Sequence, residues 1–436
     1  MNSTGKIRID PRDFIMAPYL MCPNCTEQQY GVLGVHRTEC SRRCRACLYR
    51  GSVSLPTLKK KIVYIDQFAF SNIMKMLDPD AKGHGRASAE PFWKELFEIL
   101  SVVCHLQLVA CPDSREHKHE SLTSPFYKAL KHTYEHFSSG ESFEDAENIR
   151  LLQVGRVGAA WLKNEPVTFD FDPESISSGR LHDWSDRIFI TVDGVLPGIV
   201  DDLRETRSRI HQGLKEVFEI WQREKKSFKE VFAIEKAGYR ESLIRSRAEE
   251  SKKQQQIMAE ILCGQTPSLD EILLSRTTTQ LLSLKYSFEM KVGKEQAQKK
   301  LNEFLNSTAI DEAPFSVISA AMYTSLAMKA AAGQKEPPNQ GTATDINIVS
   351  TLLPYCDAMI MDSKCRALLQ DIPGEFALPY PCKVFCPNNS ADFIRYLTEI
   401  RDSVTEEHLG LIEECYGPDP LKPQTSIYGV GNCHPP

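Results

Sequence analysis

Short, unbroken apolar runs constrain the fold of this chain more than any other feature of its sequence. Residues 62–65, 106–110 and 358–361 are such runs, and each leads into an acidic or turn-forming segment. Unbroken apolar runs are typical of strands buried on both faces, as in a parallel sheet covered by helices. A further short strand is predicted at 383–385. The sequence therefore predicts an α/β fold with a parallel sheet flanked by helices.

Acidic residues follow the predicted strands. Asp66 and Asp362 come directly after the first and the third of these runs. Glu120 lies on the helix that follows the second run, and Asp345 lies on a helix upstream of the third. Ligands bind beyond the carboxyl ends of the strands in such sheets. We therefore expect the four side chains to lie at one edge of the sheet.

This acidic edge predicts a metal site. Several carboxylates at one edge repel each other and are costly to keep ionised without cations. Their oxygen atoms suit Mg²⁺ or Mn²⁺, which bind phosphate and activate water, so the pattern predicts metal-dependent hydrolysis of phosphodiesters. Asp357 could replace Asp362 or join it as a ligand. The predicted catalytic residues are Asp66, Glu120, Asp345 and Asp362, and the predicted Mg²⁺ or Mn²⁺ ligands are these four with Asp357.

Two histidines accompany the acidic residues on the predicted helix. Glu116 and Glu120 lie four residues apart and share one helix face, and His117 and His119 lie between them. The histidines could reach the acidic edge. A structural or surface role is the favoured interpretation.

Two Cys-x2-Cys pairs near the N-terminus are separated by eighteen residues. This spacing is typical of a structural zinc site, in which each pair turns two thiolates toward one tetrahedral Zn²⁺. So small a module cannot build a stable core alone, so the metal would supply folding energy. Cys40 and His36 leave the register of the ligands open. The predicted zinc ligands are Cys22, Cys25, Cys44 and Cys47.

Charge is distributed unevenly along the chain. Residues 1–61 hold eleven Lys and Arg against four Asp and Glu, a net charge of +7, whereas the whole chain carries −6 and its remainder −13. A basic module on an acidic body indicates localised contact with phosphates, and Arg42, Arg43 and Arg45 lie between the zinc ligands. The alternative is a solvated basic arm.

The sequence divides into five segments. A mainly helical, highly charged stretch separates the two sets of strands, so we expect it to be an insertion into one sheet. Its aromatic residues recur at helical spacing, which indicates packing against a partner helix. The segments are a zinc-ribbon-like module at 18–50, an α/β domain in two parts at 61–136 and 312–400, the helical insertion at 143–310, and a C-terminal extension at 401–436.

The sequence also carries signals of compartment. Its N-terminal residues lack the apolar segment of a signal peptide, and fourteen cysteines in 436 residues do not suggest a small disulfide scaffold. The apolar stretch 315–333 is interrupted by polar residues, which predicts a core helix and not a membrane span. We therefore expect a cytoplasmic protein with reduced thiols.

These features resemble the PIN-like nuclease domain, preceded by a zinc-ribbon-like module. The resemblance covers about 61–136 and 312–400, with an Ile-Asp strand end, a Pro-x-Ser…Glu helix start, and Asp…Asp around a short apolar strand. It implies a parallel PIN-like sheet and Mg²⁺- or Mn²⁺-dependent hydrolysis of nucleic acid, RNA being favoured over DNA. The acidic quartet implied by the resemblance is Asp66, Glu120, Asp345 and Asp362.

Two other functions stay open at this stage. A catalytically inactive protein of the same fold would bind nucleic acid or protein without cleaving it. The same architecture would suit a toxin or antiviral-defence effector that a protein partner activates through the helical insertion. Retention of the four acidic residues favours an active nuclease.

Overall fold

Two four-stranded sheets organise the protein. The computed structural model describes residues 10–186, 198–264, 266 and 276–418. The first sheet is an antiparallel meander of neighbouring strands in the order β1-β2-β3-β4, and the second is parallel in the order β6-β5-β7-β8. The strands are β1 (Met16–Leu20), β2 (Tyr30–His36), β3 (Glu39–Cys44), β4 (Arg50–Ser54), β5 (Lys61–Ile65), β6 (Val109–Ala110), β7 (Ala358–Ile360) and β8 (Lys383–Phe385).

Helices follow and cover these strands. Those of the first part of the chain are α1 (Gln67–Leu77), α2 (His84–Ser88), α3 (Pro91–His105), α4 (Arg115–Leu122), α5 (Tyr127–Ser138) and α6 (Ala146–Lys163). The middle of the chain forms α7 (Ile199–Glu224), α8 (Phe228–Leu262), α9 (Arg276–Val292) and α10 (Lys294–Leu305). The last part forms α11 (Pro314–Ala331), α12 (Thr342–Leu352), α13 (Ser363–Gln370), α14 (Ser390–Asp402) and α15 (Glu406–Cys415).

The parallel sheet joins two distant parts of the chain, as the sequence predicts. Val63 of β5 pairs with Ala358 of β7, and Ile65 pairs with Ile360. Every residue of β7 is buried, in agreement with an unbroken apolar run. The helical insertion therefore leaves the sheet after β6 and its helices and returns before β7.

Each face of the parallel sheet has its own core. Val63 and Ile65 face a core that contains buried residues of α1, α3 and α14. Ile62 and Tyr64 point the other way, into a core that contains buried residues of α11 and α12. Because successive strand residues alternate between faces, one short run fills two cores, and this is why it contains no polar residue.

One predicted strand is shorter than expected. Only Val109 and Ala110 of the run at 106–110 pair with β5. The preceding helix α3 continues to His105, and Gln107 has a left-handed backbone with φ of 56°. Leu106 is buried under the terminal helix instead, so its apolar side chain serves a different core.

The middle of the chain is helical, and the part of its aromatic stripe on α7 packs on a partner helix as predicted, whereas Phe228 and Phe232 lie on α8 and contact the Phe376 ring. Phe218 and Trp221 of α7 are buried against α11, the central helix of the molecule. Most of the residues of α11 are buried, which explains why its sequence is mainly apolar and why its polar residues are mostly small. Within the described residues, no helix is long and apolar enough to cross a membrane.

The N-terminal sheet and the terminal helix α15 share one core. Trp184 is buried between them, donates a hydrogen bond to the Pro56 carbonyl at 2.7 Å, and stacks on His408. Arg42 is also buried, and its guanidinium donates to the carbonyls of Tyr30 and Glu414. The expectation that Arg42 faces phosphates is therefore wrong, because its charge binds the end of α15. Residues 419–436 of the predicted C-terminal extension lie outside the described residues.

Replacement of Trp184 tests this shared core. Trp184→Ala removes the ring that fills the junction and leaves the Pro56 carbonyl without its donor. We expect the free energy of unfolding to fall by about 3–5 kcal/mol, measured by chemical denaturation. Tyr286→Ala, at an exposed position on α9, should change it by less than about 0.5 kcal/mol. Equal effects of the two substitutions would refute the junction as a stabilising core.

Candidate functional site

Asp66 occupies the end of β5. Its side chain caps α1 by accepting a hydrogen bond from the Phe68 N–H at 3.3 Å, and its own N–H donates to the Ile360 carbonyl of β7 at 3.1 Å. The end of one central strand is thereby tied to the end of the other. Burial raises the pKa of Asp66 to about 7, and the charges of Glu120 and Asp362 act in the same direction.

Asp362 occupies the equivalent place after β7. Its side chain caps α13 by accepting a hydrogen bond from the Cys365 N–H at 2.6 Å. The preceding residue, Met361, donates its N–H to the Phe385 carbonyl of β8 at 3.0 Å. Both strand-end aspartates are thus helix N-caps on neighbouring parallel strands, which places their carboxylates at the same edge.

Asp345 reaches this edge from the first turn of α12. Burial raises its pKa to about 9, with further contributions from the negative charges of Asp66, Asp362 and Glu120. These charges belong to the other three members of the predicted quartet, so all four carboxylates lie within electrostatic reach of this end of the sheet.

Glu120 comes to the edge on α4. Burial raises its pKa, Arg207 of α7 lowers it, and Glu116 one helical turn earlier raises it. An Nη2–Oε1 distance of 3.8 Å separates Arg207 from Glu120. Glu116 also has a raised pKa because it is buried, so a fifth carboxylate borders the quartet.

His117 fixes α4 on the sheet and does not serve as a metal ligand. Its Nδ1 accepts the Ser114 N–H at 3.0 Å, so the proton is on Nε2, which donates to the Ile65 carbonyl at 2.8 Å. Its ring stacks on Tyr64 with 5.1 Å between centroids. Burial lowers the pKa of His117 to about 3, which keeps it neutral. His119 is engaged on the helix surface by the Arg115 guanidinium.

Asp357 lies at the other end of β7. Its carboxylate pairs with the Lys61 ammonium at 2.7 Å and accepts the Ile62 N–H at 2.9 Å. Asp357 precedes β7 whereas Asp362 follows it, so the two aspartates are at opposite edges of the sheet. The prediction that Asp357 replaces or joins Asp362 as a ligand therefore finds no support in the geometry.

A cavity of about 420 Å³ opens beside Asp345 and Asp362. Leu326 and Leu368 contribute to its apolar wall, and Lys329 and Lys364 contribute positive charge. The acidic edge is thus next to a space large enough for a small organic group, with cations on its rim.

The four predicted cysteines form a second cluster at the tip of the N-terminal sheet. Within the described parts of the chain, they are the one set of three or more His, Cys, Asp and Glu residues whose donor atoms all lie within 4.8 Å of one another. This cluster is compatible with a structural zinc. In the described residues, no three donor atoms of the acidic quartet lie this close together.

The two Cys-x2-Cys turns have matching backbone geometry. The Cys22 carbonyl accepts the Thr26 N–H at 2.9 Å, and the Cys44 carbonyl accepts the Leu48 N–H at 3.0 Å. Thr26 and Leu48 have positive φ angles of 60° and 62°. Each turn thus holds its two sulfur atoms toward the other pair at the cost of one strained residue, which bound metal would offset.

The positions of the other two candidate ligands, Cys40 and His36, decide which residues would bind zinc. Cys40 is buried against Cys415 of α15, and its contact raises the pKa of the Cys415 thiol. His36 is exposed on β2. Neither belongs to the cluster. The thiols are close enough to share protons: the Asn24 amide and the Tyr49 N–H lower the pKa of Cys47 to about 6, whereas burial and the neighbouring thiols raise that of Cys25 to about 12.

Zinc content tests the cysteine cluster. Purified protein should contain about one zinc per chain by elemental analysis, and Cys25→Ser should lose the metal and melt at a lower temperature. Cys263→Ser, at an exposed position at the end of α8, should retain both. Fully folded wild-type protein without metal would contradict the assignment.

The raised pKa values of the acidic quartet predict how stability depends on pH. Asp345 titrates near 9 in the folded protein and near 3.8 when unfolded, so the folded state binds more protons between these values. Stability must then fall as pH rises through this range. Without Mg²⁺ or Mn²⁺, we expect Asp345 to lower the melting temperature as pH rises from 7 to 9. Cys47 and Lys60 act in the opposite direction, because their lowered pKa values favour the folded state as pH rises.

Asp345→Asn should remove this contribution, so its melting temperature should rise relative to that of the wild type between pH 7 and pH 9. Asp371→Asn, at an exposed ion pair with Lys329, should follow the wild type. Differential scanning calorimetry measures all three proteins. The same pH dependence in the wild type and in Asp345→Asn would show that Asp345 ionises as it does in water.

Sequence reasoning missed Arg207, because no spacing or motif connects a residue of the insertion with Glu120. Comparison of the chain with protein-family models, curated proteins and solved structures finds no match. The function is therefore argued from the two clusters themselves.

Proposed function

We propose that the protein is a metal-dependent nuclease that hydrolyses phosphodiester bonds, with RNA favoured over DNA by the resemblance to PIN-like domains. The observation that carries the proposal is the acidic quartet at the carboxyl edge of the parallel sheet. Burial raises the pKa values of Asp66 and Asp345, and the charges of neighbouring quartet members add to both shifts, as is common for carboxyl groups at functional sites. The four residues are Asp66, Glu120, Asp345 and Asp362.

The donor set fits Mg²⁺ or Mn²⁺. It offers carboxylate oxygens from two strand ends and two helices, and hard divalent ions prefer oxygen ligands. Such ions bind phosphate oxygens, activate the attacking water and stabilise the leaving oxygen. The protein supplies rigid placement, because Asp66 and Asp362 are helix caps and Glu120 is fixed through His117.

The surrounding residues favour water as the nucleophile. Cys365 is the nearest thiol to the quartet along the chain, and burial together with the charges of Asp345 and Asp362 raises its pKa well above the usual value. A thiol in this state is a poor nucleophile. Asn72 donates its amide to the Phe68 carbonyl of its own helix, so it is engaged in structure.

The cavity beside Asp345 and Asp362 supports a nucleic-acid substrate. Its apolar wall suits a base or sugar, and Lys329 and Lys364 on its rim suit phosphate. The N-terminal sheet adds the exposed Arg45, whose guanidinium lies over the Tyr19 ring at 5.9 Å. Cations and aromatic rings in combination are typical of surfaces that bind single strands.

A nucleic-acid-binding protein without hydrolytic activity is the second candidate. The observation that favours it is the open spacing of the quartet, since among the described residues only the cysteines bring three donors within 4.8 Å. An assay of nucleic-acid hydrolysis with added Mg²⁺ or Mn²⁺ distinguishes the nuclease from the inactive binding protein.

Asp66→Asn tests hydrolysis directly. The substrates are labelled single-stranded RNA, single-stranded DNA and duplex, and their degradation should require Mg²⁺ or Mn²⁺. The substitution should lower the rate of degradation by at least about a hundredfold, because a central metal ligand loses its charge. Asp357→Asn is the matched control at the opposite edge and should retain activity. Folding of both variants is checked by circular dichroism.

Wild-type protein that binds nucleic acid but cleaves none of the three substrates with either metal would favour the inactive binder. Equal loss of activity in the two variants would show that the acidic edge is not the site of hydrolysis.

A further inference from the structure

One cation from the helical insertion reaches the acidic edge. Arg207 lies on α7, and its Nη1 donates a hydrogen bond to the Thr123 Oγ1 at 3.2 Å, at the end of α4. Its Nη2 lies 3.8 Å from Glu120 Oε1. The helix that carries Arg207 is held by Phe218 and Trp221 in the core against α11. Arg207 is therefore placed by a rigid element and not by a loop.

The contact with Glu120 is an ion pair without a hydrogen bond. At 3.8 Å the two atoms are beyond hydrogen-bond distance, although the charges still attract. A guanidinium has five N–H donors, and one of them is used by Thr123. The side chains of Arg207 and Glu120 are 24% and 25% exposed, so solvent and ligands reach them. Arg207 keeps donors for a further acceptor at this edge.

The negative charge of the acidic edge indicates which kind of acceptor Arg207 would bind. A carboxylate cluster repels phosphates, so cations must offset the repulsion when a nucleic acid approaches. The planar guanidinium matches two oxygens of a phosphate and stays charged at all relevant pH values. The exposed Lys364 provides a cation on the Asp345 side, where Lys329 is already paired with Asp371, and Arg207 provides one on the Glu120 side.

We propose that Arg207 binds a backbone phosphate of the nucleic-acid strand at the acidic edge, so that the helical insertion forms part of the substrate-binding surface. The inference rests on the proposed nuclease function and deepens it. In this arrangement the strand crosses the edge with the cavity beside Asp345 on one side and Arg207 on the other. The insertion then determines which single strands are held long enough to be cut.

Binding experiments test Arg207 without relying on turnover. Arg207→Ala and Arg209→Ala are each made in the Asp66→Asn background, which leaves the probe intact. Arg209 is the matched control, because it lies on the same helix at an exposed position, where it pairs with Glu205 and donates to the Thr206 hydroxyl. A short fluorescein-labelled single-stranded RNA is titrated at several salt concentrations, and melting curves confirm folding.

Loss of one phosphate contact should weaken binding roughly tenfold. It should also reduce the slope of log affinity against log salt by about 0.7. Arg209→Ala should change neither value. In the otherwise wild-type protein, Arg207→Ala should raise KM more than it lowers kcat, and Arg207→Lys should restore part of the loss.

Two results would overturn the proposal for Arg207. One is the same affinity and salt slope for both variants. The other is faster hydrolysis by Arg207→Ala, which would show that Arg207 pairs with the Glu120 carboxylate and does not bind the substrate. A wild-type protein that never hydrolyses nucleic acid would refute the nuclease function instead, while the salt series would still decide whether Arg207 contacts phosphate.

Discussion

The parallel pairing of β5 with β7 connects parts of the chain that the whole helical insertion separates, and the acidic edge depends on it. The Asp66 N–H donates to the Ile360 carbonyl, so the ends of the two central strands are held side by side. Each strand then continues into a helix whose N-cap is an aspartate. Two carboxylates are forced into proximity by backbone geometry alone, and α4 and α12 add Glu120 and Asp345. Such an arrangement is electrostatically costly without cations, and natural proteins retain costly sites mainly for function.

The second cluster stabilises the molecule by a different route. The cysteine turns close the tip of the N-terminal sheet, and the opposite part of that sheet shares a core with α15 through Trp184. Arg42 completes this junction by binding the Glu414 carbonyl from inside the sheet. The zinc-ribbon-like module is consequently packed into the body of the protein. Its exposed Arg45 stays on the surface, where contact with a polyanion remains available.

The sequence predicted what depends on local pattern. Unbroken apolar runs identified β5, β7 and the parallel sheet. The ends of two predicted strands indicated Asp66 and Asp362, and Asp345 was predicted from the short link that joins its helix to the strand before Asp362. Spacing alone predicted the cysteine cluster. The sequence did not predict that Leu106 belongs to another core, because an apolar residue has the same appearance in a strand and at a helix end. It missed Arg207, since that position depends on the packing of α7. Asp357 precedes the run at 358–361, so the predicted parallel sheet was itself enough to separate it from Asp362.

The central claim is that the acidic quartet holds divalent cations, and diffraction from crystals grown with Mn²⁺ tests it most directly. Data collected at the manganese absorption edge locate the ion by its anomalous signal, independently of any activity. The account predicts one or two anomalous peaks coordinated by carboxylate oxygens of Asp66, Asp345, Asp362 and Glu120. An edge without manganese in crystals that contain the ion, or manganese bound only at Asp357, would contradict it.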